Sequence, residues 1–305
     1  MRALVRLLSA SLLPVVSMTA SAQTFDFPPT FVVREIATTG VTIHVRSGGA
    51  GPPVVLLHGY GETGDMWVPL AADLVRDHTV IVPDLRGMGL SSKPNGGFDK
   101  KTQAADVSGV MTALGVQQAD IVAHDIGNMV AFQFAAQYPA RLRRLVLIDA
   151  PVPGVGPWEE ILKNPLLWHF RFGGPDMERL VAGRERIYLD RFWNEFSASP
   201  DRFSEAAREH YAKLYALPGA MHSGFAQFAA FDQDAIDNRE FLARDRLKMP
   251  VLALGGQKSF GPMMATVMRA GADNVTEGIV PESGHWIMEE NPRATTRLVR
   301  DFLAR

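Results

Sequence analysis

Cysteine is absent from the sequence, so the chain forms no disulfide and carries neither a thiol nucleophile nor a thiolate metal site. An excess of charge of either sign is missing too, because 31 Lys and Arg residues stand against 33 Asp and Glu residues. That balance gives no sign of a nucleic-acid-binding surface, and we expect no nucleic-acid partner. Internal repeats and long low-complexity tracts are also lacking, which excludes repeat architectures.

The chain is nevertheless rich in core-forming residues. It has 305 residues, of which 47% are hydrophobic and 21% are charged. This is the composition of an ordinary globular protein with ample apolar material for a large core. The length alone is compatible with one large domain or two smaller ones, so the order of the predicted elements has to decide between them.

The first 22 residues differ from the rest and have the layout of a signal peptide. Arg2 and Arg6 make a positive start, an apolar stretch runs over residues 7–20, and Ala20-Ser21-Ala22 matches a cleavage site. The apolar stretch is shorter than the roughly 20 residues that a membrane-spanning helix needs, so we expect cleavage rather than a retained anchor. The mature protein is therefore predicted to be exported, periplasmic or secreted, with no stable membrane insertion.

Short apolar runs bounded by turn signals predict eight strands. Between many of them lie helical patterns, over residues 101–114, 126–137 and 292–303. Strands that alternate with helices indicate an α/β protein with a mostly parallel sheet covered by helices on both faces. The predicted strands are Phe31–Ile36, Val41–Val45, Val54–His58, Val80–Pro83, Asp120–His124, Leu145–Asp149, Val251–Leu254 and Val275–Val280.

This alternation stops over residues 152–237, where aromatic and charged residues recur at helical spacing and no strand pattern is found. We interpret the stretch as a helical cap inserted after the sixth strand, between core segments 23–151 and 238–305. An independent helical domain is the alternative. The return of strand and helix patterns at Met249 favours the insertion.

The fifth strand runs into Ala123-His124-Asp125-Ile126-Gly127, and a helix pattern follows at once. This is the small-x-nucleophile-x-small form of a nucleophile elbow, in which the residues two before and two after the nucleophile are small. The central residue here is Asp125, whose carboxylate can attack an alkyl carbon and form an ester. The alternative is that Asp125 only caps the helix, since Asp is a favoured capping residue.

The loop after the third strand, His58-Gly59-Tyr60-Gly61, lies where this kind of site takes a backbone N–H for its oxyanion hole. We predict the N–H groups of Tyr60 and Ile126 as the two donors that stabilise a tetrahedral intermediate. His58 is interpreted as a structural residue whose ring holds the loop.

His285 follows the last predicted strand and precedes the last helix, which is where a base arrives in the chain order nucleophile, acid, histidine. It is predicted to deprotonate the water that hydrolyses the ester. Asp149, at the end of the sixth strand, is the candidate acid that orients this histidine. The other position for an acid follows the seventh strand, where Gln257 is uncharged and the next acid is Asp273. A turn-capping role is the alternative for Asp149.

Together these motifs resemble the epoxide hydrolase and haloalkane dehalogenase branch of the α/β-hydrolase fold, over residues 27–303. The segment Asp84–Ser91, with the sequence Asp-Leu-Arg-Gly-Met-Gly-Leu-Ser, is typical of that branch. The strongest likeness is to secreted epoxide hydrolases, which share Ala-His-Asp-Ile-Gly and an acid-Ala-Pro-x-Pro motif, here Asp149–Pro153. The resemblance supports Asp149 as the acid and implies a reaction without a metal or organic cofactor.

The resemblance also implies that His169, in Trp168-His169-Phe170, donates a hydrogen bond to the epoxide oxygen with a tyrosine as its partner. The sequence departs from that pattern, because Phe228 occupies the place of the tyrosine. Trp168 and Phe228 are expected to line the substrate pocket. His169 then acts alone or with another cap hydroxyl, or it is only a buried cap residue. The candidate hydroxyls belong to Tyr188, Tyr211 and Tyr215.

The leading hypothesis is thus an exported epoxide hydrolase that opens a small apolar epoxide to a diol through an ester on Asp125. Dehalogenation by the same ester route is the runner-up, although Ile126 stands where haloalkane dehalogenases commonly carry a halide-binding Trp. A third possibility is an exported binding protein with a vestigial site. The sequence indicates neither the particular substrate nor the oligomeric state.

Overall fold

A computed structural model describes residues 25–305 of the chain. The predicted signal peptide, residues 1–22, lies outside the described residues. Within residues 25–305, no helix is both long enough and apolar enough to cross a membrane.

Eight strands form one sheet in the order β1-β2-β4-β3-β5-β6-β7-β8. The pairs β1·β2 and β2·β4 are antiparallel and every other pair is parallel, so the prediction of a mostly parallel sheet is confirmed. The strands are β1 (Val32–Ala37), β2 (Thr42–Gly48), β3 (Pro53–Leu57), β4 (Thr79–Pro83), β5 (Ala119–His124), β6 (Leu142–Ile148), β7 (Val251–Gly256) and β8 (Val275–Val280).

The largest differences from the predicted strands are three residues, at the end of β2, which continues to Gly48, and at the start of β6. Strand β6 begins at Leu142, before the apolar run, because Arg143 and Arg144 extend it while their guanidinium groups pair with the buried Asp120 of β5. At its other end β6 stops at Ile148, since Asp149 adopts a positive φ of 51° and cannot continue the strand.

The central strands are buried on both faces, and every residue of β5 is buried. This explains their nearly continuous apolar sequence, because helices cover both sides of a parallel sheet. The register pairs Leu57 with Ala123, His124 with Ile148 and Ile148 with Leu254. The carboxyl ends of β3, β5, β6 and β7 therefore meet at one edge of the sheet, where ligand sites of open α/β sheets lie.

Helices cover both faces of the sheet and the edge just described. Predicted helices 126–137 and 292–303 have the predicted bounds, and the helix predicted from residue 101 begins at Lys100, behind the capping side chain of Asp99. The α-helices are α1 (Val68–Leu74), α2 (Lys100–Ala113), α3 (Ile126–Gln137), α4 (Trp158–Ile161), α5 (Pro175–Val181), α6 (Glu185–Glu195), α7 (Glu205–Tyr215), α8 (Ala220–Ala229), α9 (Phe231–Leu242), α10 (Met263–Gly271), α11 (Ile287–Glu290) and α12 (Pro292–Leu303).

Between β6 and β7 the chain forms helices α4 to α9, which we call the cap, and no strand of the sheet. Residues 177–191, which carry a helical pattern in the sequence, belong to two helices, α5 and α6, because Gly183 takes a positive φ of 72° between them. The predicted end of the cap at residue 237 falls inside α9, which continues to Leu242.

Buried polar contacts attach the cap to the core. The ammonium of Lys100, at the start of α2, is fully buried and lies 3.1 Å from the carboxylate of Asp234 in α9. It also donates to the carbonyl oxygens of Phe98 and Gln227, both at 3.0 Å. The side chain of Gln227 donates in turn to the carbonyl of Arg86. A buried charge needs such partners, and these contacts fix α8, which carries Phe228 into the site.

Candidate active site

Asp125 occupies the sharp turn between β5 and α3. Its backbone has φ 52° and ψ −121°, a conformation that non-glycine residues rarely adopt and that is typical of strained functional turns. A Cβ on Gly127 would lie 2.4 Å from the carbonyl oxygen of Leu57, and one on Gly59 would lie 2.2 Å from the Asp125 Cβ. Glycine is thus required at both positions. The side chain of Asp125 makes no capping bond to α3, contrary to the alternative of a simple helix cap.

The loop after β3 holds one oxygen of this carboxylate. The backbone N–H of Tyr60 donates to Asp125 Oδ1 at 2.7 Å. The ring of His58 supports the loop: its Nδ1 lies 2.9 Å from the carbonyl of Gly59, and its Nε2 accepts from the N–H of Leu85 at 2.9 Å. These contacts fit the structural interpretation of His58. Ile126 directly follows Asp125 at the start of α3, with its side chain fully buried.

The ring of His285 lies between two carboxylates. Its Nε2 is 3.7 Å from Asp125 Oδ2, and its Nδ1 is 3.0 Å from Asp149 Oδ2. Nδ1 also lies 3.0 Å from the carbonyl oxygen of Asp149, so both of its neighbours are acceptors and Nδ1 carries the proton. The unprotonated Nε2 then faces the side of Asp125, as a base for the second step of an ester mechanism requires.

Asp149 is buried and held by the end of β7 and the loop after it. Its Oδ1 accepts from the N–H groups of Gly256 at 2.7 Å and Phe260 at 3.1 Å, which leaves Oδ2 for His285. The alternative acid position holds no carboxylate that reaches the histidine. Gln257 accepts from the N–H of Glu282, and Asp273 pairs on the surface with Arg246 and Lys248.

The two neighbouring carboxylates favour the protonated form of His285. Burial disfavours the charged imidazole, but the hydrogen bond that His285 donates to Asp149 and the negative charges of Asp125 and Asp149 outweigh burial, so the pKa of His285 is raised above its usual value. An imidazolium that forms during a reaction is accordingly stabilised at this position.

A second pair of a histidine and an acidic side chain, which the sequence did not indicate, lies behind His285. His124 Nε2 donates to the carbonyl oxygen of His285 at 2.9 Å, and His124 Nδ1 lies 3.4 Å from Glu62 Oε2. Burial lowers the pKa of His124 to about 4 and raises that of Glu62 to about 8, so both side chains are uncharged at neutral pH. The available signal for this pair was a histidine at the end of the apolar run Ile121–Ala123 of β5.

A cavity of about 850 Å³ opens in front of Asp125 and His285, between the sheet edge and the cap. The loop after β7 contributes Lys258, Ser259 and Phe260 to its wall. Around His169 the wall carries two leucines, Leu166 and Leu167, and five aromatic side chains, which are Tyr60, Phe170, Phe192, Phe196 and Phe228.

His169 lies in a short 3₁₀ helix, Pro165–Arg171, and lines the cavity. Its ring centroid is 4.9 Å from that of Phe192 and 5.1 Å from that of Phe228. Burial lowers the pKa of His169 to about 3, so the imidazole is neutral at physiological pH and has one N–H to donate.

The structure does not place Trp168 in the pocket, contrary to our expectation. Its side chain is 42% exposed and faces the guanidinium of Arg191, which lies 4.9 Å from the ring centroid. Consecutive residues of a 3₁₀ helix point about 120° apart, so when His169 faces the cavity, Trp168 points away from it. Phe228 does line the cavity, as predicted.

The three candidate tyrosines do not line the cavity either. The hydroxyl of Tyr215 accepts from the N–H of Gly61 and lies 3.3 Å from the carbonyl of Glu62, and that of Tyr211 lies 3.5 Å from Glu289. Tyr188 packs outside the wall, against Phe172. All five tyrosines of the chain lie within residues 25–305, and the one that lines the cavity, Tyr60, has a buried hydroxyl. Consequently no phenolic donor faces the cavity.

The architecture and the site geometry agree with a match of residues 52–292 to the family model described as the alpha/beta hydrolase fold. The chain belongs to the α/β-hydrolase family. This α/β hydrolase is 33% identical over 273 residues to a soluble epoxide hydrolase of Corynebacterium sp. strain C12, an alignment that covers 87% of this chain and 94% of the relative. It is 29% identical over 295 residues to a fluoroacetate dehalogenase of Burkholderia sp., with 90% and 94% covered.

Solved structures extend the same likeness. The Cif epoxide hydrolase from Acinetobacter nosocomialis superposes on this α/β hydrolase with a TM-score of 0.85 at 25% identity, over 91% of this chain and 90% of the other. The resemblance to the epoxide hydrolase branch is thereby confirmed. Within residues 25–305, no group of three or more His, Cys, Asp or Glu side chains is placed to hold a metal ion.

Proposed function

We propose that this α/β hydrolase is an exported epoxide hydrolase that works through an ester on Asp125. The observation that carries the proposal is the position of His285, 3.7 Å from one carboxylate and 3.0 Å from the other. The similarity to the soluble epoxide hydrolase supports the substrate class.

In the first step an oxygen of Asp125 attacks a carbon of the epoxide. The new bond is between that oxygen and the carbon, and the carbon–oxygen bond of the three-membered ring breaks. The electron pair goes to the ring oxygen, to which the neutral His169 donates a hydrogen bond before water protonates it. The N–H of Tyr60 holds Asp125 Oδ1, so that Oδ2 is left as the attacking atom.

In the second step His285 Nε2 takes a proton from water, and the hydroxide attacks the carbonyl carbon of the ester. The tetrahedral oxyanion forms at the oxygen that Tyr60 already contacts, with the N–H of Ile126 as the second donor. Asp149 stabilises the imidazolium. The intermediate then releases the diol oxygen, which takes the proton from His285. The carboxylic acid left on Asp125 gives its proton to the hydroxide formed in the first step, so the carboxylate is restored and one water is consumed overall.

The dehalogenase alternative has less support from the residues around the cavity. Ile126 follows the nucleophile, and the one tryptophan on the described cavity wall, Trp286, donates its indole N–H to the carbonyl of Phe192. No indole N–H of that wall is therefore free for a halide ion.

A trapped ester tests the proposal. The variant His285→Gln should carry out the first step and stall before the second. After exposure to epoxides, its intact mass should rise by the whole epoxide mass, and peptide mapping should place the adduct on Asp125. The double variant Asp125→Asn, His285→Gln is the matched control and should gain no mass.

Other outcomes would favour other functions. A gain equal to an alkyl group without its halogen, after exposure to alkyl halides only, would favour the dehalogenase. If the variant is folded and forms no adduct with any compound, the hypothesis of a binding protein with a vestigial site remains.

Export is a separate part of the proposal and rests on residues 1–22. Expressed with this segment in a Gram-negative host, the protein should be recovered outside the cytoplasm with Gln23 as its first residue. Recovery of the full-length chain from the cytoplasm would contradict export without affecting the enzymatic proposal.

A further inference from the structure

We infer that the substrates of this enzyme are epoxides with an aryl group on one of the ring carbons, an inference that rests on the epoxide hydrolase proposed above. The wall of the cavity around His169 carries it, since that wall combines one neutral donor for the leaving oxygen with five aromatic side chains.

The leaving oxygen receives little assistance from the wall around His169. His169 is neutral and offers one N–H, Phe228 has no hydroxyl, and the hydroxyl of Tyr60 is buried away from the cavity. Neutral donors stabilise a developing alkoxide less than charged donors do, and each missing donor raises the barrier of such a step. An unactivated epoxide would therefore open slowly here.

An aryl group compensates for the missing donor by stabilising the charge that develops on the carbon under attack. When the bond between the ring oxygen and the benzylic carbon breaks, the positive charge that develops on that carbon is delocalised into the aryl ring. The bond can then lengthen before the leaving oxygen is fully stabilised, and the carboxylate of Asp125 attacks the benzylic carbon. A single weak donor is sufficient for a step of this kind.

The aromatic wall also fits such a substrate. The rings of Phe170 and Phe228 are stacked 5.7 Å apart, and the Tyr60 ring meets Phe228 edge-on at 4.8 Å. Aromatic rings pack favourably against one another at these distances, and their electron-rich faces attract positive charge. The cavity of about 850 Å³ exceeds what a phenyl-substituted epoxide needs, so the aryl group can carry further substituents.

Two substrates of similar size separate electronic activation from fit. Styrene oxide has the aryl group, and cyclohexyloxirane has a saturated ring in its place. Ester formation on Asp125 is measured in single turnovers of His285→Gln, which isolates the first step. We expect styrene oxide to react faster by roughly tenfold or more. Attack at the benzylic carbon inverts that centre, so the enzyme should convert (R)-styrene oxide mainly to the (S)-diol.

The variant Phe228→Tyr, made in the same His285→Gln background, tests the cause. A phenol at this position supplies a second donor, so it should accelerate cyclohexyloxirane more than styrene oxide and lower the rate ratio by about threefold or more. Phe228→Leu, the matched control, changes the ring without adding a donor and should not lower the ratio. The His169→Gln variant gives a second measurement. Across a series of para-substituted styrene oxides, its rate of ester formation should still rise strongly with electron donation from the substituent.

Each outcome bears on one proposal. Equal rates for the two substrates, or a ratio that Phe228→Tyr leaves unchanged, would overturn the aryl inference while the ester still forms. If no epoxide yields an ester on Asp125, the epoxide hydrolase proposal itself fails.

Discussion

His124 Nε2 donates a hydrogen bond to the main-chain carbonyl of His285 at 2.9 Å. The residue before the proposed nucleophile thus holds the backbone of the proposed base, across 161 positions of sequence. Glu62 completes this arrangement from the loop after β3, and all of its side chain is buried. Because Glu62 and His124 are uncharged at neutral pH, they fix the geometry of His285 without adding charge beside it.

Glu62 should make the protein less stable as the pH rises. The pKa of Glu62 is raised to about 8 in the folded state, against 4.5 as its ordinary value. Between these two values the unfolded chain loses a proton that the folded chain keeps, so the free energy of unfolding falls with rising pH across this window. Below it, both states are protonated and the effect vanishes.

The variant Glu62→Gln, which mimics the protonated form, should remove this dependence. Urea unfolding at about pH 5 and about pH 8 should show wild type losing stability relative to the variant, by an amount on the order of a few kcal/mol. A constant difference between the two proteins would mean that Glu62 is ionised in the folded state.

Asp149→Asn should slow the enzyme and shift its pH profile. Without the carboxylate, the imidazolium loses its partner and the tautomer of His285 is no longer enforced, so turnover should fall by roughly three orders of magnitude. The pKa of His285 is raised by its carboxylate neighbours, so the acidic limb of kcat/KM should move to lower pH in the variant. Gln257→Asn, at the other acid position, is the control and should leave the profile in place.

His169 should act in its neutral form over the whole working range. Its pKa of about 3 lies far below neutrality, so the rate of ester formation should show no step from its titration above about pH 5. His169→Phe removes the donor and should slow ester formation about 100-fold, whereas His169→Gln keeps an N–H and should lose less. Quenched-flow mass spectrometry in the His285→Gln background measures both. Equal losses in the two variants would show that packing, and not the N–H, is what matters.

Lys100→Met should destabilise the whole protein. The substitution keeps the length of the side chain but leaves the fully buried carboxylate of Asp234 without its cation. We expect a loss of about 3 kcal/mol or more in the free energy of unfolding, measured with urea. Lys163→Met, which breaks an exposed pair with Glu160, is the matched control and should change stability by less than about 0.5 kcal/mol. Similar values for the two variants would contradict the role given to the buried pair.

The parts of the fold and the site that local sequence determines were predictable. Continuous apolar runs located the strands, and the small residues around Asp125 located the elbow, because steric demands act on neighbours in sequence. Asp149 could also be predicted as the acid that orients His285, because the other acid position holds Gln257, whose side chain carries no charge.

Features that depend on side-chain direction or on distant packing were not predictable. Adjacent residues Trp168 and His169 were both expected in the pocket, but only the local 3₁₀ geometry decides which of them faces it. The roles considered for Tyr188, Tyr211 and Tyr215 depended on how the cap packs on the core. Glu62 and His124 lie 62 positions apart, and no local pattern joins them.

The position of Asp149 has a consequence for how substrate range can change. The carboxylate follows the end of β6, and it is held through two main-chain N–H groups, that of Gly256 at the end of β7 and that of Phe260 in the loop after β7. Lys258 and Ser259 of that loop line the cavity, and the proposed mechanism gives neither a catalytic role. Mutation can therefore reshape this wall for new substrates while the orientation of His285 stays intact.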